Sequence, residues 1–258
     1  MRARAWPTHM SVKSLPLLVV LCAVMVAVPA AFSRTAPPSR VVVAVVDTGV
    51  TPTKQLAPRL VPGWNFLDGN ANTADLNGHG TEIASIVASS CGSCFIEPVR
   101  VSGGVGGADL AIQGIAWAVK HGASVINLSM TTPADNPALS QAIEGAVADG
   151  ITVVVAAGNS GQPVGYPAAT APDAISVASV DPTGKLYSWS NYGPWVTLTA
   201  PGVLPATNAL GKTVTAVGTS ASAGYVSGAA ARLLACAPKL APSAVRLRLQ
   251  QSLAGSNC

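Results

Sequence analysis

The seven residues "VVVAVVD", 41–47, form an unbroken run of valine and alanine that stops on an aspartate. A strand with one wet face alternates apolar and polar residues, so a short continuous apolar run marks a strand covered on both faces. Working outward, the same pattern repeats. "GHGTEIASIVASS" (78–90) reads as a helix and "FIEPVRV" (95–101) as a strand. "ADLAIQGIAWAVKHG" (108–122) carries apolar residues at helical spacing and is stopped by Gly122. "SVINLSM" (124–130) and "ITVVVAAGN" (151–159) are two more buried strands, with a helix, "NPALSQAIEGAVADG" (136–150), between them. Shorter strands follow in "AISVASV" (174–180) and "WVTLTAPG" (195–202), then helices over 220–235 and about 242–254. Strands alternating with helices predict βαβ units around a parallel sheet. No internal repeat or second linker interrupts the pattern, so 41–258 is expected to be one α/β domain.

With 258 residues the chain can bury a substantial core. Apolar residues make up 49% and charged ones 10%, which excludes a disordered chain. The formal charge of +4 is no phosphate-binding footprint. Arg2, Arg4 and Lys13 stand near the start and every acidic residue follows Arg40, so the remainder nearly balances and no nucleic-acid partner is expected. Those early charges precede the apolar run "LPLLVVLCAVMVAVPAAF" (15–32), the pattern of an export signal, and Val28 and Ala30 fit cleavage after Ala30. Left uncleaved, the run would serve as a membrane anchor. Residues 1–32 are therefore expected to be a signal peptide or anchor and 33–40 a linker, with the rest exported, secreted or periplasmic. Cys22 lies inside the leader, leaving Cys91, Cys94, Cys236 and Cys258, an even number suited to an oxidising compartment. Pairing 91 with 94 and 236 with 258 is the simplest of three connectivities. "CGSC" also has redox-dithiol spacing, but it follows a helix instead of opening one, so a structural bridge is expected.

Ligand sites of parallel sheets gather beyond the carboxyl ends of the strands, which directs attention to Asp47, Ser129 and Asn159. Of three histidines, His9 belongs to the leader, and His121 ends a helix where a cation suits the dipole. His79, between glycines in "NGHGT" at a helix start, is the candidate proton acceptor. Asp47 ends a buried strand and needs a partner. Accepting the Nδ1 proton of His79 would satisfy it and orient the ring. "GTSASAGYVSG" (218–228) sets three serines among small residues, which suits either close helix packing or a nucleophile at a helix start. Ser220 follows the Gly218–Thr219 turn and is the candidate nucleophile, given an adjacent base. Ser222 and Ser227 lie further into the helix and are expected to be packing or back-bonding serines. Asn159, in "AAGNSG", offers an amide to a developing oxyanion, together with the backbone N–H of Ser220.

The segments "VVDTGV", "NGHGTEIAS", "INLSM", "AAGNSG", "YPA", "SNYG", "APG" and "GTSASAGYVSG" occur in the order and rough spacing of the subtilisin-like serine peptidases, which the chain resembles across about 40–236. The resemblance implies a three-layer α/β domain with a mostly parallel central sheet flanked by helices. It implies an endopeptidase with Asp47, His79 and Ser220 as triad and Asn159 as oxyanion donor. Ser129, Met130 and Thr131 would pair with an extended polypeptide by strand addition, beside Ala157 and Gly158. Gly165 and Ala168 would form the base of the primary specificity pocket, where the absence of charge favours an apolar guest. No cofactor and no partner beyond the substrate are expected, and a monomer is.

Several positions depart from the family pattern. Glu82 stands where relatives usually carry a second histidine. Ala221, Gly224 and Tyr225 replace a bulky residue, a proline and a histidine, and the missing proline is expected to loosen that helix. Thr131 replaces a glycine and should narrow the cleft. Many relatives hold calcium in a long loop after the histidine helix; here the connection is short and no metal site is expected. Only a short linker separates the leader from the first strand, so the folding pro-domain of relatives is not expected in this chain. The competing reading is a catalytically weak or inactive fold kept for peptide binding, which should have lost a triad member or Asn159. A thiol oxidoreductase rests on "CGSC" alone.

Overall fold

The computed structural model describes residues 40–104 and 106–251. The expected leader, most of the linker, Cys22 and Cys258 lie outside the described residues. The opening run forms β1 (Val42–Asp47), which sits inside a seven-stranded sheet. Its neighbours are β3 (Phe95–Arg100) and β4 (Val125–Leu128), both parallel to it. Beyond β3 comes a two-residue strand, β2 (Trp64–Asn65). Beyond β4 come β5 (Thr152–Ala156), β6 (Ile175–Val180) and β7 (Leu198–Pro201), giving the order β2-β3-β1-β4-β5-β6-β7 with every pair parallel.

Burial on both faces is visible residue by residue along β1. Val43 and Val45 belong to a core with α1 (His79–Cys91), α4 (Thr219–Cys236) and α5 (Pro242–Gln251). Ala44 and Val46 belong to a second core with α2 (Ala108–Lys120) and α3 (Pro137–Ala148). The result is the three-layer α/β arrangement expected. The last helix is described only to Gln251, so its expected end near 254 lies outside the described residues. His121 caps α2 as expected: its backbone N–H donates to the Trp117 carbonyl. Cys91 and Cys94 are bridged between the end of α1 and the start of β3. Cys236 is also in a disulfide, and its expected partner Cys258 lies outside the described residues.

Two features escaped the sequence pattern. One is β2, too short for any period. The other is an antiparallel hairpin, β8 (Val203–Thr207) and β9 (Thr213–Val217), which delivers the chain into α4. Half of its residues are exposed, and Pro205 within β8 obscures the alternation.

The chain runs from β1 to β3 on one side, then crosses to β4 on the other. The crevice beyond the carboxyl ends of β1 and β4 is therefore a topological switch point, where open parallel sheets bind ligands.

Candidate active site

Asp47 is the last residue of β1 and is buried at 6% exposure. Its Oδ1 accepts from the Thr48 backbone N–H and faces His79 Nδ1, each at 2.7 Å. The imidazole is partly open, its side chain 38% exposed against 3% for Asp47. Gly80 makes this approach possible: a Cβ there would run into the Gly49 carbonyl oxygen and stand 3.2 Å from Asp47 Cβ. Desolvation lowers the His79 pKa. The charge of Asp47 and its hydrogen bond, with smaller contributions from Glu82 and Asp75, outweigh that penalty and leave the pKa raised above 6.5.

Ser220 stands on the first turn of α4 and lines one cleft of about 390 Å³ with Asp47 and His79. The turn is held from the β5 side. Asn159 Oδ1 accepts from the Thr219 backbone N–H (2.8 Å) and from Thr219 Oγ1 (2.9 Å), while Gly158 N–H donates to Thr219 Oγ1 at 2.9 Å. With its oxygen engaged twice, the Asn159 amide has Nδ2 left to serve as a donor. Gly218 carries φ 135°, and a Cβ on it would stand 3.1 Å from Asn159 Nδ2, so both conformation and space call for glycine. Ser129, at the end of β4, donates Oγ–H to the Ser220 carbonyl at 3.3 Å.

Of the remaining expected site residues, Ser129, Met130, Thr131 and Gly158 line this cleft. Thr131 Cγ2 lies 3.2 Å from where a Cβ on Gly158 would stand, so its methyl group occupies space between the two edges. Ala157, Gly165 and Ala168 do not line it. Ala157 and Ala168 are buried, and Gly165 packs so closely on the Ala157 carbonyl that any Cβ would collide with it. Ser222 and Ser227 are buried against the sheet, the packing alternative of the expectation, and their hydroxyls bond to strands instead of back along α4. Ser227 Oγ donates to Asn127 Oδ1 (2.9 Å) on β4, and Ser222 bonds to β6 and β7. The cause is position: both face the sheet, where buried strand groups compete successfully for the hydroxyl.

Asp75 was missed. Buried at 6% exposure, it collects five hydrogen bonds. Oδ1 accepts from Thr48 Oγ1 and from the N–H groups of Asn77 and Gly78, and Oδ2 accepts from Thr81 N–H and Oγ1, all at 2.6–3.0 Å. Desolvation raises its pKa, but these donors outweigh it and hold the carboxyl below its usual value. Asp75 thus ties the start of α1 to the residue after Asp47, and Thr48 Oγ1 in turn accepts from Gly80 N–H at 2.9 Å. An aspartate just ahead of a helix is a capping signal. Its reach across to Thr48 is not readable from sequence. Among the described residues no group of three or more His, Cys, Asp or Glu could hold a metal ion.

The profile of the subtilase family matches residues 39–257. Subtilisin DY of Bacillus licheniformis is 36% identical over 231 residues, covering 83% of this chain and 84% of that protein. Subtilisin Savinase of Lederbergia lenta is 38% identical over 216 residues, 79% of each. The crystal structure of a cold adapted subtilisin-like serine proteinase superposes with a TM-score of 0.76 at 31% identity, covering 83% of this chain and 82% of that one.

Proposed function

The chain belongs to the subtilase family and is a serine endopeptidase, and on that footing we propose that Ser220 is its nucleophile, His79 its general base and Asp47 the group that orients His79. His79 Nε2 takes the Ser220 hydroxyl proton as Oγ attacks the scissile carbonyl. Asp47 Oδ1 holds the Nδ1 proton and stabilises the imidazolium that forms. The carbonyl oxygen, now an oxyanion, accepts from Asn159 Nδ2 and the Ser220 backbone N–H. His79 returns the proton to the leaving amine, and water hydrolyses the acyl-enzyme by the same base. The observation that carries this reading is the 2.7 Å contact between His79 Nδ1 and Asp47 Oδ1 in a cleft that Ser220 also lines.

The substrate is an extended polypeptide laid along Ser129, Met130 and Thr131. Apart from Asp47 and His79 the cleft lining is uncharged, with Val101, Met130 and Ala156 among it, which supports cleavage after apolar residues. Gly165 and Ala168 act in this through the wall behind the cleft. Export fits the Cys91–Cys94 bridge, because disulfides persist in oxidising compartments.

A fluorophosphonate probe tests the assignment. Labelling of the parent chain with none on Ser220→Ala is expected, with peptide hydrolysis lost in parallel. Full labelling of that variant would refute it, and a peptide library cleaved after Arg, Lys or Glu would refute the apolar preference.

A further inference from the structure

Ser222 lies two residues beyond Ser220 on the sheet-facing side of α4, and both it and Ser179 on β6 are fully buried. Their hydroxyl oxygens are 2.8 Å apart. Ser222 Oγ is also 2.9 Å from the carbonyl oxygen of Pro201 and 3.2 Å from that of Ala200, both on β7. A serine has one hydroxyl proton, and a carbonyl can only accept. The Ser222 proton therefore goes to β7, and Ser222 accepts from Ser179. The result is a directional chain, Ser179 to Ser222 to the β7 carbonyls, made where an unpaired hydroxyl is costly.

This chain complements the other ties on the first turn of α4. Thr219 is fastened to Asn159 and Gly158 after β5, and the Ser220 carbonyl to Ser129 after β4. Ser222 supplies the tie towards β6 and β7. A proline at 224 would stiffen the backbone there, but the residue is glycine, with no fixed φ. Side-chain ties then share with the packing of Ala221, Ala223 and Val226 the setting of the turn's rotation.

We propose that the buried Ser179–Ser222 pair is a positioning device for the nucleophile, fixing the first turn of α4 against β6 and β7 so that Ser220 Oγ stays aligned with His79. This rests on Ser220 being the nucleophile. Neither serine lines the cleft, so both act through the backbone of α4.

The test compares Ser222→Ala, Ser179→Ala and the double variant, with active sites titrated by fluorophosphonate, turnover measured on a peptide substrate and Tm recorded alongside. In each single variant kcat per titrated site is expected to fall about tenfold, with KM within about twofold. The double variant should fall no further than the worse single, because the hydroxyls act as one unit. Stability should behave differently. Ser222→Ala loses most Tm because it leaves the buried Ser179 hydroxyl without its acceptor. The double variant regains part of that loss because the orphaned hydroxyl is gone, and Ser179→Ala, which leaves Ser222 bonded to β7, loses least. Unchanged kcat per titrated site in all three variants overturns the proposal whatever happens to Tm, as does a loss confined to KM. A parent chain that takes no label removes the nucleophile assignment and this proposal together. A labelled parent with unaffected serine variants removes this proposal alone.

Discussion

Glu97→Gln should make the protein more stable at alkaline pH while changing its pH dependence in a calculable way. Glu97 lies on β3 beneath α2 and is 2% exposed. Trp117 Nε1 donates to its Oε1 at 3.0 Å, and Oε2 is buried with no partner among the described residues. Burial is the largest influence. It pushes the carboxyl from 4.5 to about 7, against the opposing effects of the Trp117 hydrogen bond and the charge of His121. A carboxyl with a raised pKa binds its proton more tightly when folded than when unfolded. Its contribution is therefore intact below about pH 4.5, falls as pH rises, and is fully lost above about pH 7. At 1.36 kcal/mol per unit the loss is on the order of 3 kcal/mol. For a domain of this size that is roughly 6–12 °C in Tm. Glutamine copies the protonated carboxyl and cannot ionise. Its own unpaired amide adds an offset that does not vary with pH, so the decisive quantity is the slope. Urea unfolding followed by tryptophan fluorescence, in a Ser220→Ala background to prevent self-digestion, should show the curves diverging between pH 4 and pH 8. Parallel curves across that range would refute the reasoning.

The raised pKa of His79 places the acid limb of kcat/KM above pH 6.5, because the base must be neutral to accept the serine proton. Glu82→Gln, by removing one of the charges that raise it, should move that limb to lower pH; an unmoved limb would exclude Glu82 as a contributor. Asn159→Ala should lose roughly 10²–10³ in kcat with little change in KM, the magnitude known from subtilisin, a member of the same family. A change confined to KM would make Asn159 a substrate ligand instead. Asp75→Ala, which removes the acceptor of five donors, three of them buried, should cost on the order of 3 kcal/mol in urea unfolding and lower kcat more than it alters KM. Wild-type kcat would show that the carboxylate serves stability alone. Reduction of the disulfides should lower Tm whereas a calcium chelator leaves it in place, and the reverse pattern in calorimetry would point to a bound metal.

The strands and helices were legible because burial imposes a local period. The run 41–47 had to be covered on both faces, and the structure divides its residues between two cores. The residues of the candidate site were legible for a related reason. Asp47, His79 and Ser220 each end or begin an element, where a polar side chain amid glycines and apolar neighbours is conspicuous in the sequence alone. Partnerships across the chain were not. Ser222 and Ser227 look like any small helix residue, and their partners Ser179 and Asn127 stand 43 and 100 positions earlier. Asp75 reads as a local cap, yet it also reaches Thr48, 27 positions back. Glu97 interrupts a strand pattern without announcing that one oxygen will have no partner among the described residues. Gly165 and Ala168 carry the right chemistry for a pocket floor, but only the packing of Gly165 on Ala157 puts them behind the cleft lining. Periodicity and motif order depend on neighbours in sequence, so the sequence determines the elements and points to the candidate groups. Hydrogen-bond partners and burial depend on which strands the sheet sets side by side, and that is decided only when the chain closes on itself.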